Sequence, residues 1–149
     1  MKTYLITVGK LKNKQLEILE ESYLKRIKNP KLQIHEVKAK AENKELEGEV
    51  VIKKIESLSS NPFIIVLSEF GKELDSPKFS KWYYENLAKF QTLIFVICGA
   101  EGPSKTLLNK ANQTLSLSQM TLPHKLARLM LVEQIYRAET IQTGHPYHN

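Results

Sequence analysis

The chain reads as an α/β domain: a mainly parallel sheet with helices on both faces. Three observations predict it. Short β-type runs alternate with helical periodicities along all 149 residues. Two of those runs, Phe63–Leu67 and Leu93–Ile97, are apolar throughout, as strands covered on both faces must be. Each then empties into a polar, glycine-containing loop.

Taken in order, Tyr4-Leu5-Ile6-Thr7-Val8 is a strand closed by Gly9. Leu16, Leu19, Tyr23 and Ile27 recur at steps of three and four, which is one face of a helix. Leu32 to Val37 predicts a second strand. Leu46, Val50 or Val51, Ile55 and Leu58 predict a second helix. After the strand at Phe63, Ser76-Pro77 has the form of an N-cap followed by proline at the first helical position. Phe79, Trp82 or Tyr83, Leu87 and Phe90 supply that helix with its apolar face. The strand at Leu93 runs out at Gly99, a short helix follows Pro103, and Thr114-Leu115-Ser116-Leu117 is a last short strand. The final helix begins near Pro123, carries Leu126, Leu129, Met130, Tyr136 and Ile141, and stops at Gly144. No repeat, low-complexity tract or linker interrupts this pattern, so residues 1–149 are expected to form a single domain.

A composition of 42% hydrophobic and 26% charged residues is that of a soluble globular chain. No apolar stretch is long enough for a bilayer, which excludes a membrane helix. The start, MKTYLITVGKLKNK, is too charged after a short apolar core to be a signal peptide. With a single cysteine, Cys98, this predicts a reducing, cytoplasmic location and no disulfide framework. The net charge of +6 fits a nucleic-acid partner, because neutralising phosphates releases counterions; it fits a plain solubility charge as well.

In parallel sheets, ligands sit beyond the carboxyl ends of the strands. That selects the loops starting at Ser68, Gly99 and Ser118. The first suits a ligand edge or any strand-to-helix connection. The second, Gly99 to Thr106, reads GAEGPSKT, one residue from the phosphate-binding pattern G-x-x-x-x-G-K-[ST]. Ser104 stands where that pattern needs glycine for backbone N–H groups to wrap a phosphate, and no apolar run ends in an Asp that would hold Mg²⁺. The third, Leu115 to His124, mixes Ser116, Ser118, Gln119 and Thr121 with Leu and Met. Such a lining suits a neutral heteroaromatic ring. It also suits a helix start capped by Ser118 or Thr121.

The chain ends Gly144-His145-Pro146-Tyr147-His148-Asn149 and holds three of its four histidines in the last 26 residues. Metal binding, nucleic-acid contact through Tyr147 stacking, and docking on the chain's own domain are all open, and docking is favoured. Two histidines alone do not make a metal site. Arg128 and Arg137 flank Glu133 on the last helix. Pairing of Glu133 with Arg137 across one turn is the default, and a phosphate clamp the sharper alternative.

GAEG after a buried strand, LSLSQMTLPHKLARLMLVEQIYRA, the terminal GHPYH and the early TVGKLK together resemble, over the full chain, the ribosomal large-subunit methyltransferase H family of the SPOUT class. The resemblance implies a fold whose C-terminal part is threaded into a trefoil knot, which pattern arguments would not propose. It implies a homodimer that uses S-adenosyl-L-methionine to methylate N3 of a pseudouridine in 23S ribosomal RNA on assembled ribosomes. By motif match, Leu67, Gly99, Leu117, Ser118, Gln119, Met120, Thr121 and Leu122 hold the cofactor. His124 and Tyr147 are expected to bind substrate. His148, His145, Arg128 and Arg137 are expected to be catalytic, a histidine as base and an arginine stabilising the developing charge. A dimer would let one subunit's tail complete the other's RNA site. Three positions depart from the family pattern: Cys98 where glycine is common, Pro103 where leucine is, and Asn149 where a terminal cation is. Rival readings are a SPOUT enzyme acting on another rRNA or tRNA site, and a non-enzymatic ribosome-binding module.

Overall fold

A computed structural model describes residues 1–40 and 43–149. The chain runs β1 (Lys2–Val8), α1 (Lys14–Leu24), β2 (Leu32–Val37), α2 (Lys44–Leu58), β3 (Phe63–Glu73), α3 (Ser76–Phe90), β4 (Thr92–Ile97), α4 (Lys105–Lys110), β5 (Gln113–Ser116) and α5 (His124–Thr143). The strands form one sheet in the order β2-β1-β4-β3-β5, and every neighbouring pair is parallel. All strand-to-helix loops therefore leave from the same edge.

The two-residue period of the strands builds a core on each face. Leu5, Ile65, Leu93 and Phe95 pack with Phe79, Tyr83 and Leu87 of α3 and Leu131 and Ile135 of α5. Ile6, Val66, Ile94 and Val96 pack on the other face with Val51, Ile52 and Ile55 of α2 and Leu107 of α4. Of the paired alternatives, Val51 and Tyr83 take the buried positions.

Two helices turn differently from their apolar periodicity. In α1, capped by Asn13, Ile18 and Leu19 face outward at 65% and 43% exposure, and Ile27 lies beyond the helix end. The buried residue of this helix is Glu20. In α5, Leu126 and Met130 face outward, while Leu131, Val132, Ile135, Tyr136 and Ala138 turn in. One interaction accounts for both rotations. The buried Arg128 guanidinium donates to both oxygens of Glu20 at 2.7 and 2.9 Å, to Glu36 of β2 at 2.7 Å and to Thr7 of β1 at 3.2 Å. Four of its five N–H groups are engaged. Burial works against the charged form, but the hydrogen bonds and charges of Glu20 and Glu36 more than offset it and raise the Arg128 pKa.

Local chemistry sets the ends of the elements. Asp75, not Ser76, caps α3 by accepting the Lys78 N–H at 2.8 Å; Ser76 donates its hydroxyl to Gln134 at 2.7 Å. No side chain caps α5, so neither Ser118 nor Thr121 has that role. The helix stops at Gly144, whose φ of 75° is the left-handed terminator glycine favours. Near its far end, Glu139 accepts the backbone N–H groups of Lys28 and Asn29 and so pins the loop after α1. Among the described residues, no helix is long and apolar enough to cross a membrane.

Two outcomes follow from buried charge. Arg128→Ala strands Glu20 without its counter-charge and is expected to cost about 3–5 kcal/mol, read as a lowered urea midpoint; a loss below about 1 kcal/mol would show that the tie does not hold the fold. His35 on β2 keeps a buried Nε2 beside the Tyr4 ring, with no hydrogen-bond partner among the described residues. Burial, and then Lys54, lower its pKa. As pH falls, the unfolded chain therefore takes the proton first. The stability His35 contributes is full above about pH 6.5 and declines below it. Melting curves from pH 7.5 to 5 should fall less steeply for His35→Asn than for the wild type.

Candidate ligand cleft and C-terminal tail

The ends of β3, β4 and β5 open into a cleft of about 730 Å³ at the carboxyl edge of the sheet. All three segments selected from the sequence contribute to it, although the one starting at Ser68 is no loop: β3 continues through it to Glu73. Leu67, Gly99, Leu117, Ser118, Met120, Thr121 and Leu122 line it, with His124 at the start of α5; Gln119 does not. A close fit between backbones shapes one wall. Leu67 and Lys72 of β3 both register with Leu115 of β5, and the segment between them bulges over that strand. Gly71 is pressed so near that a Cβ there would lie 2.7 Å from the Leu115 backbone nitrogen. Thr121 donates its hydroxyl to Glu69, joining the loop after β5 to β3.

The lining holds Glu69 and Glu101 and neither Lys nor Arg. Those carboxylates, set among Leu, Ile, Met and Ala, suit a ligand with an apolar ring and a positive charge. A polyphosphate would be repelled. Those two acids and Phe70, which is 90% exposed at the rim, were not picked out from the sequence. The only signal for them is their place just past an apolar strand.

The segment that approximates a phosphate loop is built for another purpose. The Ser104 hydroxyl accepts the Leu107 N–H at 3.0 Å and caps α4, lying where a Cβ on Gly48 of α2 would strike it. The Lys105 N–H, which a phosphate would need, donates to Glu45 at 3.4 Å. Cys98 and Pro103 also line the cleft. Burial, and then the charge of Glu47, push the Cys98 thiol up to about 12, so it stays protonated and is no nucleophile near neutral pH.

The tail docks on its own helix. Tyr147 sits edge-on to Tyr136 with centroids 4.7 Å apart, donates to Glu133 at 3.1 Å and lies under the Arg137 guanidinium at 4.8 Å. Arg137 pairs with Glu133 across one turn at 2.8 Å, as the spacing predicted. Its Nη1 meets Nδ1 of His148 at 3.0 Å. A guanidinium only donates, so this Nδ1 accepts and the neutral ring carries its proton on Nε2. Nδ1 of His145 likewise accepts the Tyr147 N–H at 3.2 Å. Asn149 is exposed at the chain end.

The expected site residues thus fall into three groups. The residues expected to hold the cofactor, except Gln119, meet with His124 in the cleft. His145, Tyr147, His148 and Arg137 gather at the far end of α5, about 20 Å from His124 at roughly 1.5 Å of rise per residue. Arg128 belongs to neither group: it is buried in the tie to Glu20 and Glu36, and its engaged donors leave no open clamp for a substrate anion.

Over residues 1–148 the chain matches a family model described as "Predicted SPOUT methyltransferase". It is 43% identical to the protein named Ribosomal RNA large subunit methyltransferase H of Streptococcus pneumoniae strain CGSP14, with 99% of each chain covered. The protein of the same name in strain JJA matches with the same identity and coverage.

Gly71→Ala forces a methyl group into the Leu115 backbone. It should cost about 1–3 kcal/mol of stability and weaken S-adenosylmethionine binding at least tenfold by titration calorimetry. Unchanged melting and affinity would show that this wall of the cleft has room to relax.

Proposed function

Because the chain belongs to the SPOUT methyltransferase family and so transfers a methyl group from S-adenosylmethionine, we propose that it methylates large-subunit ribosomal RNA, at N3 of a pseudouridine in the 23S molecule, on the assembled ribosome in the cytoplasm. The substrate is supported by the names of its full-length relatives. The observation that carries the reading is the cleft itself, where the second half of β3 and the loops after β4 and β5 enclose an apolar space with two carboxylates and neither Lys nor Arg. The cofactor supplies an electrophilic methyl on a sulfonium centre. Leu67, Gly99 and the Leu117–Leu122 segment would hold its neutral parts, and Glu69 and Glu101 suit its positive charges.

The working enzyme is a homodimer in this reading. The outward Leu126 and Met130 of α5, with Ile18 and Leu19 of α1, are apolar surface that a second copy would cover. A tail about 20 Å from the cleft of its own chain cannot serve that cleft. Two α5 helices packed antiparallel bring each tail to the other subunit's cleft. The threading of the C-terminal segment into a trefoil knot belongs to the same reading and rests on membership of the family.

Attack by N3 requires its proton to leave. With Nδ1 engaged, neutral His148 offers an Nε2–H, which suits hydrogen bonding to a base carbonyl as negative charge builds. Arg137 and Tyr147 hold it in place, and His145 flanks the same edge. His124, which lines the cleft, is the better-placed proton acceptor. Arg128 acts as a positioning residue, fixing the start of α5 and with it His124.

The test is transfer of labelled methyl from S-adenosylmethionine to ribosomes lacking the modification, beside free rRNA and tRNA. Label confined to ribosomes is expected; label only on tRNA, or none anywhere, overturns the substrate. In the same assay, mixing His148→Ala with a cleft-blocked Gly99→Trp protein should restore activity that neither has alone. A site completed by its own chain's tail gives no such rescue.

A further inference from the structure

Four lysines of this chain stand at helix starts, where helix electrostatics disfavours them, while Lys89 and Lys110 take favoured places in the last turns of α3 and α4. Helix dipoles favour cations at C-termini. Yet α1 begins at Lys14, α2 at Lys44, α4 at Lys105, and α5 carries Lys125 in its first turn, while α1, α2 and α5 have no basic residue in their last turns. All four starts lie on the edge of the sheet that holds the cleft. The same edge gains Lys10 and Lys38, which leave the neighbouring strand ends where Val8 registers with Val37 and Gly9 donates to the Val37 carbonyl at 2.7 Å. Lys12 follows in the left-handed region at φ 50°, a conformation that disfavours any side chain.

Lys10, Lys12, Lys14 and Lys38 are exposed, and the ion pairs among the described residues all lie elsewhere. Lysines gathered outside any ion pair repel one another, and although Glu17, Glu45 and Glu47 share the first turns of α1 and α2, an outside anion relieves that repulsion further. The two halves of the edge differ in charge: exposed lysines beside the first-turn acids of α1 and α2 at the β1 and β2 ends, and carboxylates without Lys or Arg in the cleft beside β3, β4 and β5. A shallow hollow joins the halves. Lys10 and Lys125 line it, and it shares Ile97 and His124 with the cleft.

We propose that the lysines of the β1 and β2 ends, centred on Lys10, Lys12 and Lys38 and continued by Lys125 across the hollow, are the track for the RNA phosphates next to the methylated nucleotide. The inference rests on the methyltransferase reading and adds to it where the RNA lies. A flexible polyanion crossing the hollow would set its phosphates on the lysines and deliver one base over His124 into the cation-free cleft. The cleft's acids would repel the phosphates themselves, so only a base enters.

The experiment compares the wild type with Lys10→Gln/Lys12→Gln/Lys38→Gln and with a control, Lys53→Gln/Lys81→Gln/Lys89→Gln, which removes the same charge from α2 and α3. Ribosome sedimentation and methylation are measured across 50–300 mM salt, with S-adenosylmethionine affinity alongside. The edge triple should raise KM about tenfold or more, with kcat within about twofold and cofactor affinity unchanged. It should also flatten the dependence of log K on log salt by about 0.7–0.9 for each phosphate that is no longer neutralised. The control triple should match the wild type. An edge triple with wild-type KM and salt slope, or equal losses in both triples, overturns the proposal. A wild type that binds ribosomes through these lysines yet transfers no methyl overturns the reaction instead and leaves the surface standing.

Discussion

The architecture hangs on one buried cation. Arg128 crosses from α5 to Glu20 of α1, Glu36 of β2 and Thr7 of β1. A guanidinium is a rigid fork, and two-point pairing with Glu20 fixes orientation as well as distance. Buried ion pairs add little net stability over apolar packing, but they punish every arrangement that separates them. Rotating α1 to bury Leu19 would expel Glu20 and strand Arg128. The apolar periodicity of α1 therefore yields, and Ile18 and Leu19 face out. The same constraint turns Leu126 and Met130 of α5 outward and leaves an apolar strip on the surface.

Through that tie, α5 becomes a rod with two ends of different chemistry. Its first turn carries His124 into the cleft, held in place by a neighbour four residues along the chain. Its far end carries a stack in which Tyr136, Tyr147, Arg137 and His148 are each held by the next. Glu133 accepts from both Tyr147 and Arg137, so one carboxylate sets the pose of the whole tail. An ordered tail reaches a partner with less entropy to lose than a loose one.

Charge is sorted along the working edge. Lysines stand over the β1 and β2 ends, and the cleft keeps only carboxylates. A reaction between a cationic cofactor and a polyanionic substrate needs such a division, because one field cannot attract both. The GAEGPSKT segment illustrates it: with Ser104 as a cap on the Leu107 N–H and Glu45 on the Lys105 N–H, two of the backbone groups a phosphate would need are already engaged.

Local pattern was enough to read the element order, the parallel α/β class, the three chain segments that line the cleft and the Glu133–Arg137 pair. All of these depend on periodicity, on glycine and proline placement, or on neighbours one turn apart. Even the favoured docking of the tail was legible, from its unusual composition. Which face of α1 and α5 turns inward was not, because Glu20 and Arg128 lie far apart in the chain and no apolar count registers a buried charge. Three further features emerge only in three dimensions: Asp75 rather than Ser76 as the α3 cap, the absence of Gln119 from the cleft wall, and the distance between the tail and the cleft. They follow from long-range contacts, from the path of a loop and from the length of a rigid helix, none of which leaves a period in the sequence.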